Sequence, residues 1–290
     1  MKVPDIDSLK RILHLVYERV FATDVPGNAA QVGFYFSFAI FPLLLFLISL
    51  LGIVLANADD LRAELFVYLG QLMPSSAFEL VRSTLDEIKE NSSGSKLTIG
   101  VVATLWSASA GIDALRQALN QVYGEKERRS WWHTKLQSLV LTVLFVLLIA
   151  AGLGLAFYGE QVLDSLMRGA GLGIISTVLS NVVQWALLLF VLAVTTAVIY
   201  SWLPAFDKFE WVWITPGGVV AILLFALLTT GFRVYLHYFN SYDKTYGSLG
   251  AVIILMLWLY LTAMALLVGG AINAVLNDLE ELPDSSNDVT

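Results

Sequence analysis

The sequence predicts an all-α fold: a polytopic membrane helical bundle with six transmembrane helices and additional amphipathic interfacial helices. Three observations lead to this prediction. The mean hydropathy is +0.73, and only 14% of the 290 residues are charged. The apolar residues also gather into stretches near the ~20 residues that a membrane-spanning helix needs. Because a soluble domain of this length carries far more charge, we expect an integral membrane protein.

Composition also excludes several classes of function. The chain has no cysteine, which excludes disulfides, thiolate metal sites and a cysteine nucleophile. Its histidines, His14, His133 and His237, are not spaced as metal ligands. The net charge is −7 and no basic patch is dense, which argues against nucleic acid as a partner. We therefore expect no enzyme activity, no cofactor and no metal site.

The N-terminal segment, residues 1–28, is predicted to be an amphipathic interfacial helix followed by a turn. Residues 5–21 place Leu9, Ile12, Leu13, Val16 and Val20 on one apolar face. A helix of this kind lies in the headgroup layer, or alternatively serves as an arm that binds a partner. The segment has no continuous apolar core of the kind that a signal peptide has.

The membrane domain is predicted to occupy residues 29–276. Pro42 lies inside its first span, where it frees the carbonyl group of Phe38 from the helix and predicts a kink. Both a functional kink and the kink of an inert bundle helix are compatible with the sequence. The six spans are predicted at about 29–56, 97–116, 136–158, 178–201, 214–235 and 247–276.

Two segments are predicted to lie outside the membrane. Residues 57–96 form an extramembrane helical cap of two amphipathic helices, the second of which opens with the capping box Ser76-x-x-Glu79. Residues 277–290 form an acidic disordered tail. The distribution of lysine and arginine favours both termini in the cytoplasm. If the second span were only half inserted, the C-terminus would lie outside instead.

The second span carries the strongest functional signal. At ~100° per residue, Ser109, Asp113, Arg116 and Asn120 share one face of this helix. Asp113 and Arg116 are three residues apart and are predicted to pair. An interfacial pair, with Arg116 snorkelling to lipid phosphate, and a functional pair at the mouth of a substrate path both fit. Small residues occupy the opposite face and predict close helix packing near the centre of the bundle: Ala103, Ser107, Gly111, Ala114 and Ala118.

Polar residues in three other spans extend this hypothetical substrate path. Gln31 and Tyr35 belong to the first span, and Asn181 and Gln184 to the fourth. Arg233 lies near the outer end of the fifth span, where it either binds a phosphate headgroup or snorkels. Polar inward faces on several spans favour an interior that is wet or amphipathic.

Three sequence blocks, spread from the first predicted span to the last, form a distinctive combination. They are Asn28–Tyr35 with Phe41-Pro42-Leu43, Leu105–Ser109 with Ala118–Asn120 and Tyr123-Gly124, and Tyr246–Ala251 with Leu257–Tyr260 and Asn273–Val275. Together the blocks resemble the YihY/BrkB family of bacterial inner-membrane proteins. The resemblance implies a six-helix protein of the plasma membrane, with roles suggested in virulence and in envelope lipid movement. An older ribonuclease label of the family is regarded as a misassignment. Members often carry an acid where Ala271 stands, so a mechanism that needs a charge there does not carry over.

Together these features predict a transporter-like protein that moves or hands over a lipid or another amphipathic envelope substrate. Polar grooves would hold the headgroup, and apolar walls would hold the tails. The alternative is a non-transporting scaffold for envelope assembly that uses residues 57–96 to bind a periplasmic protein. A small-ion channel is a weaker third hypothesis, because the sequence has no filter motif. Membrane lipids are the expected partners, and the sequence leaves homo-oligomerisation open.

Overall fold

The computed structural model describes residues 6–54, 94–169, 176–208, 211–238 and 248–281. These residues form α-helices joined by short connections. Each long helix is apolar over much of its length, as the sequence predicts. The helices are α1 (Ile6–Ala22), α2 (Val25–Val54), α3 (Gly94–Tyr123), α4 (Trp131–Gly169), α5 (Ser176–Trp202), α6 (Pro216–Tyr238) and α7 (Ser248–Glu281).

Four helical segments within the described residues are long and apolar enough to cross a membrane: Trp131–Gly152, Asn181–Trp202, Pro216–Tyr235 and Val252–Glu280. The protein is therefore an all-helical membrane protein. Helix α2 has 30 residues, which at 1.5 Å per residue gives a length of about 45 Å. Helix α3 mixes apolar residues with the charged face described above. For α2 and α3, membrane crossing stays a prediction, and so does the total of six spans.

The ends of the long helices meet at one end of the bundle. There the first turn of α2 contacts the last turn of α3, where Asn28 Nδ2 donates to Gln121 Oε1 at 2.8 Å. The first turn of α6 meets the last part of α7, where the Gly217 amide donates to Asn273 Oδ1 at 2.8 Å. Arg19 of α1 forms an ion pair with Asp278 of α7. The N-terminal helix and the end of the C-terminal helix therefore lie together.

Helix α1 is present over nearly the whole of the predicted range. Val16 packs into the protein, and Arg19 donates to the Val122 carbonyl at the end of α3 at 3.2 Å. A second apolar stripe, Leu13, Tyr17 and Phe21, remains exposed, so Leu13 does not share the packed face of Val16, contrary to the prediction. The helix thus has one apolar side against the bundle and a neighbouring one exposed, and its place in the headgroup layer stays a prediction.

Several helix boundaries differ from the sequence-based ones. Helix α3 continues to Tyr123, past the predicted end of the span at residue 116, as the predicted helix faces through Ala118 and Asn120 require; Leu119 and Val122 are buried. Helix α4 runs to Gly169, well past the predicted end at Tyr158. Helix α7 continues to Glu281, so the predicted disordered tail is helical in its first five residues, 277–281, where Asp278 pairs with Arg19.

Two other predictions meet the limits of the described residues. Pro42 lies within α2, which is helical on both sides of it, and the kink stays a prediction. Of the predicted cap, residues 57–93 lie outside the described residues, whereas residues 94–96 belong to the first turn of α3. A cap ending at residue 96 is therefore slightly too long.

Helix α3 lies at the centre of the bundle, as its two differently composed faces predict. It packs against α2, α4 and α7. On its small-residue face, Gly111 lies against the ring of Phe36, where an added Cβ would come within 2.6 Å of the ring. Ala114 and Ala118 are buried as well. Small side chains thus allow α2 to approach α3 closely.

Candidate functional site

The polar face of α3 forms part of a partly buried charge network, which we define as Asp113, Arg116, Glu127, Arg129 and Lys135. Asp113 is its centre. Its Oδ1 accepts from Arg116 Nη2 at 3.0 Å and from the Ser138 hydroxyl at 2.6 Å. Its Oδ2 accepts from Lys135 Nζ at 2.9 Å. The Asp113–Arg116 pairing predicted from the sequence is thus present, and α4 adds two further donors.

Lys135 is the most buried of the three network residues that sequence reasoning did not assign to the site; the others are Glu127 and Arg129. Lys135 lies one turn inside α4 and is only 8% exposed. Besides Asp113, its ammonium group donates to the Ser109 hydroxyl at 2.6 Å and lies 4.7 Å from the centroid of the Trp106 ring. A signal was available, because Thr134, Lys135, Gln137 and Ser138 form a polar cluster at the start of an otherwise apolar span. Such residues tend to face protein rather than lipid.

The 124–130 connection supplies the rest of the network. Glu127 accepts from Arg116 Nη1 at 3.2 Å and from Asn120 Nδ2 at 3.3 Å. Partial burial acts to raise the pKa of Glu127, but the hydrogen bonds and charge of Arg129, with the charge of Arg116, outweigh it and lower the pKa from 4.5 to about 2. Glu127 is therefore ionised throughout the physiological range.

Backbone groups at the end of α5 complete the site. The amide of Ala205 donates to Asn120 Oδ1 at 2.8 Å, and Arg129 Nη2 donates to the Leu203 carbonyl at 3.1 Å. Gln137 donates to the carbonyl of Trp202. The network thus joins α3, α4 and the end of α5 through contacts between residues far apart in the chain.

The other predicted site residues are not gathered here. Gln31 and Tyr35 lie on an exposed part of α2, and Asn181 is exposed on α5. Gln184 donates to the Leu155 carbonyl of α4 at 2.8 Å, which is a helix–helix hydrogen bond. Arg233 is exposed on α6. Of the nine predicted path residues, the structure brings together Ser109, Asp113, Arg116 and Asn120.

Glu127 predicts an acid-sensitive contribution to stability. Because its pKa is lowered on folding, its interactions stabilise the native state above pH 4.5. This contribution is lost as the pH falls towards 2, where the native carboxylate takes up a proton. The free energy of unfolding of the wild type should therefore decline more between these pH values than that of Glu127→Gln. Parallel pH profiles of the two proteins would contradict the assignment.

Comparison with known proteins agrees with this architecture. The family model described as virulence factor BrkB matches residues 16–289, nearly the whole chain. The chain belongs to the BrkB family. It is 30% identical to the ribonuclease-like protein YfkH of Bacillus subtilis over 260 residues, 90% of this chain and 93% of YfkH. It is 28% identical to a UPF0761 membrane protein of Vibrio vulnificus, over 87% of this chain and 78% of that protein. No solved structure matches.

The BrkB family is described by virulence and by membrane location, not by an enzyme reaction. Among the described residues, no group of three or more histidine, cysteine, aspartate or glutamate side chains is arranged to hold a metal ion. The acids of the charge network are instead paired with basic side chains.

In this BrkB-family protein, the region around Ala271 is closely packed. Ala271 is completely buried in α7. Two residues later, Asn273 accepts from the Gly217 amide and donates to the Thr215 hydroxyl at 3.0 Å. Asn273 therefore connects the start of α6 to the end of α7 with neutral hydrogen bonds, next to the position where the sequence resemblance suggested an acid.

Proposed function

We propose that this BrkB-family protein is a transporter-like protein that moves or hands over a lipid or another amphipathic envelope substrate across or within the bacterial inner membrane. The supporting observation is the inner part of the charge network. Its two buried cations, Arg116 and Lys135, share the carboxylate of Asp113, and Arg116 also pairs with the more exposed Glu127. Burying an unbalanced positive charge is costly, and in membrane proteins such residues commonly mark substrate pathways.

The composition around the network suits an amphipathic substrate. Trp106, whose ring lies beside Lys135, is 40% exposed, and its ring centroid lies 5.9 Å from that of Trp131. Trp131 and Trp132 are more exposed still. An apolar aromatic surface thus borders a positively charged interior. A lipid combines the same two features, an anionic or zwitterionic headgroup and apolar tails.

Four residues of the site then have separate roles. Arg116 and Lys135 would attract the phosphate of a headgroup, since both carry donors suited to phosphate. Asp113 would hold the side chains of Arg116 and Lys135 in position while no substrate is bound. Asn120 would hold the 203–205 backbone in place. The adjacent ends of α1 and α7 are compatible with our proposal that both termini lie in the cytoplasm.

The proposal is tested by lipid movement in vesicles that contain the purified protein. We expect fluorescently labelled phospholipid to cross the bilayer at least about ten-fold more slowly with Lys135→Met or Arg116→Gln than with the wild type, since ~1.4 kcal/mol of lost interaction has this effect. Arg128→Gln is the matched control. Arg128→Gln also removes a positive charge, from the adjacent 124–130 connection, but the side chains of Arg128 and its partner Asp207 are about three-quarters exposed.

The result that would overturn this proposal is lipid movement no faster with the wild-type protein than in empty vesicles, with and without an ion gradient. The scaffold hypothesis would then be the better one. Its cap falls largely outside the described residues, so it stays a prediction. Deleting residues 57–93 should then abolish binding of a periplasmic protein.

A further inference from the structure

The carboxylate of Glu127 lies among hydrogen-bond donors that could equally bind the anionic group of a ligand. It lies in the 124–130 connection, which is not helical. Its carboxylate accepts hydrogen bonds from Arg116 and Asn120 of α3 at 3.2 and 3.3 Å. Arg129 adds three more, from its backbone amide at 3.1 Å, from Nε at 2.7 Å and from Nη2 at 2.8 Å. Five donors thus converge on one carboxylate group.

The two donors on α3, Arg116 and Asn120, are also held by partners other than Glu127. Arg116 is 7% exposed and Asn120 is 6% exposed. Arg116 is held by Asp113, and Asn120 is held by the amide of Ala205. In the described part of the chain, Nε of Arg116 is buried without a hydrogen-bond partner. The guanidinium group of Arg116 therefore has an N–H donor left for a further acceptor. A phosphate group could use it, because phosphate offers more acceptor oxygens than a carboxylate.

The connection that carries Glu127 has one attachment that breaks at little cost, the Arg128–Asp207 pair, and two firmer ones, from Arg129 to Gln137 and to the Leu203 carbonyl. Arg128 pairs with Asp207 at 3.1 Å, but both side chains are about three-quarters exposed. Exposed ion pairs contribute only about 0–1 kcal/mol. If the connection moved outward with Glu127, the buried part of the network would keep Arg116 and Lys135 against Asp113 alone. The remaining charge would be positive and would favour an incoming anion.

We propose that Glu127 occupies an anion-binding site formed by Arg116 and Asn120, and that the phosphate group of an anionic ligand displaces it. The 124–130 connection is then an autoinhibitory strap that closes the site in the absence of ligand. This inference rests on the proposed function for its place in lipid handling, whereas the binding site itself can be tested separately.

The experiment compares Glu127→Gln with the wild type in detergent, using ligand-dependent thermal stability to measure affinity. The probes are phosphatidylglycerol, inorganic phosphate and diacylglycerol, which has the tails but no phosphate. We expect Glu127→Gln to bind phosphatidylglycerol about ten-fold more tightly, a difference of about 1.4 kcal/mol. Glu125→Gln, the same change in the same connection, should bind like the wild type. The double variant Arg116→Gln/Glu127→Gln should lose the gain.

The outcomes separate the sources of the anion. A gain for both phosphatidylglycerol and inorganic phosphate identifies a general phosphate site, and a gain for phosphatidylglycerol alone identifies a lipid site. An equal gain for diacylglycerol would overturn the inference, as would affinity unchanged by Glu127→Gln. If that variant does not fold, Glu127→Asp, which draws the carboxylate back by one methylene, should show a smaller gain, and no gain would again overturn it.

Lipid movement measured with the same variants distinguishes the two proposals. If Glu127→Gln gains affinity while no protein moves lipid, the anion site is correct and the transport function is wrong. If the wild type moves lipid while Glu127→Gln shows no gain, the transport function stands and the strap is wrong.

Discussion

Replacing Asp113 with alanine is expected to destabilise the protein by about 3 kcal/mol, since removing one partner from a buried ion pair typically costs 3–5 kcal/mol. We use the lower end because the Asp113 side chain is 20% exposed. The variant leaves Lys135 and the Nη2 group of Arg116 without their carboxylate, and Ser138 loses its acceptor. The free energy of unfolding, measured by titration from mild detergent into SDS, checks this.

The matched control is Asp207→Asn, which breaks the pair with Arg128 on the same side of the site. Because both side chains of that pair are about three-quarters exposed, the expected change is at most about 1 kcal/mol. The double variant Asp113→Leu/Lys135→Met should be more stable than Asp113→Ala alone, because it removes both charges. Equal effects of Asp113→Ala and Asp207→Asn would show that the network contributes no more than a surface pair.

Replacing Gly217 with alanine is the second change with a large expected effect. A Cβ at Gly217 would collide with the Gly269 carbonyl of α7 and come within 2.6 Å of Asn273 Oδ1. The backbone carbonyl cannot move aside without shifting α7. The same clash acts from the other side, because a Cβ on Gly269 would meet the Gly217 carbonyl and the Ala221 methyl group. We expect a loss of roughly 3 kcal/mol for Gly217→Ala, at the upper end for overpacking.

Gly231 in the same helix provides the control, because nothing lies within 4 Å of the place where its Cβ would be. Gly231→Ala should leave stability unchanged or raise it by about 0.5–1 kcal/mol, since alanine favours the helix more than glycine does. The two variants are compared in the same unfolding titration. If Gly217→Ala were as stable as Gly231→Ala, the close approach of α6 and α7 would be wrong.

Much of the architecture follows from short-range sequence patterns. Apolar runs near 20 residues predict membrane helices because a helix of that length crosses the bilayer with its backbone hydrogen bonds satisfied within the segment. The two faces of α3 were readable in the same way, because the helical repeat places Ser109, Asp113, Arg116 and Asn120 together whatever surrounds them. The prediction that this helix is central is confirmed by its contacts with α2, α4 and α7.

Helical periodicity cannot tell whether a polar side chain binds a ligand or forms a hydrogen bond to a neighbouring helix. Gln184 belongs to a polar face of α5 and was assigned to the substrate path, yet it donates to a carbonyl group of α4. An amide in a bundle can bond to a neighbouring backbone or to a ligand, and the sequence pattern is the same in both cases. The span was predicted to end at Arg116, where the sequence becomes polar, and the helix continues beyond it to Tyr123 with Leu119 and Val122 buried.

By itself, the sequence determined the membrane class, the face on which Asp113 meets Arg116, and the small residues that allow close packing. These depend on spacings of a few residues along one helix, which the helical repeat fixes. Only the tertiary structure decided that Lys135 and Ser138 complete the shell of Asp113, since they lie 22 and 25 residues away. It also decided that Gly217 meets Gly269. Such contacts depend on how two helices cross, which is set by the packing of all their neighbours at once.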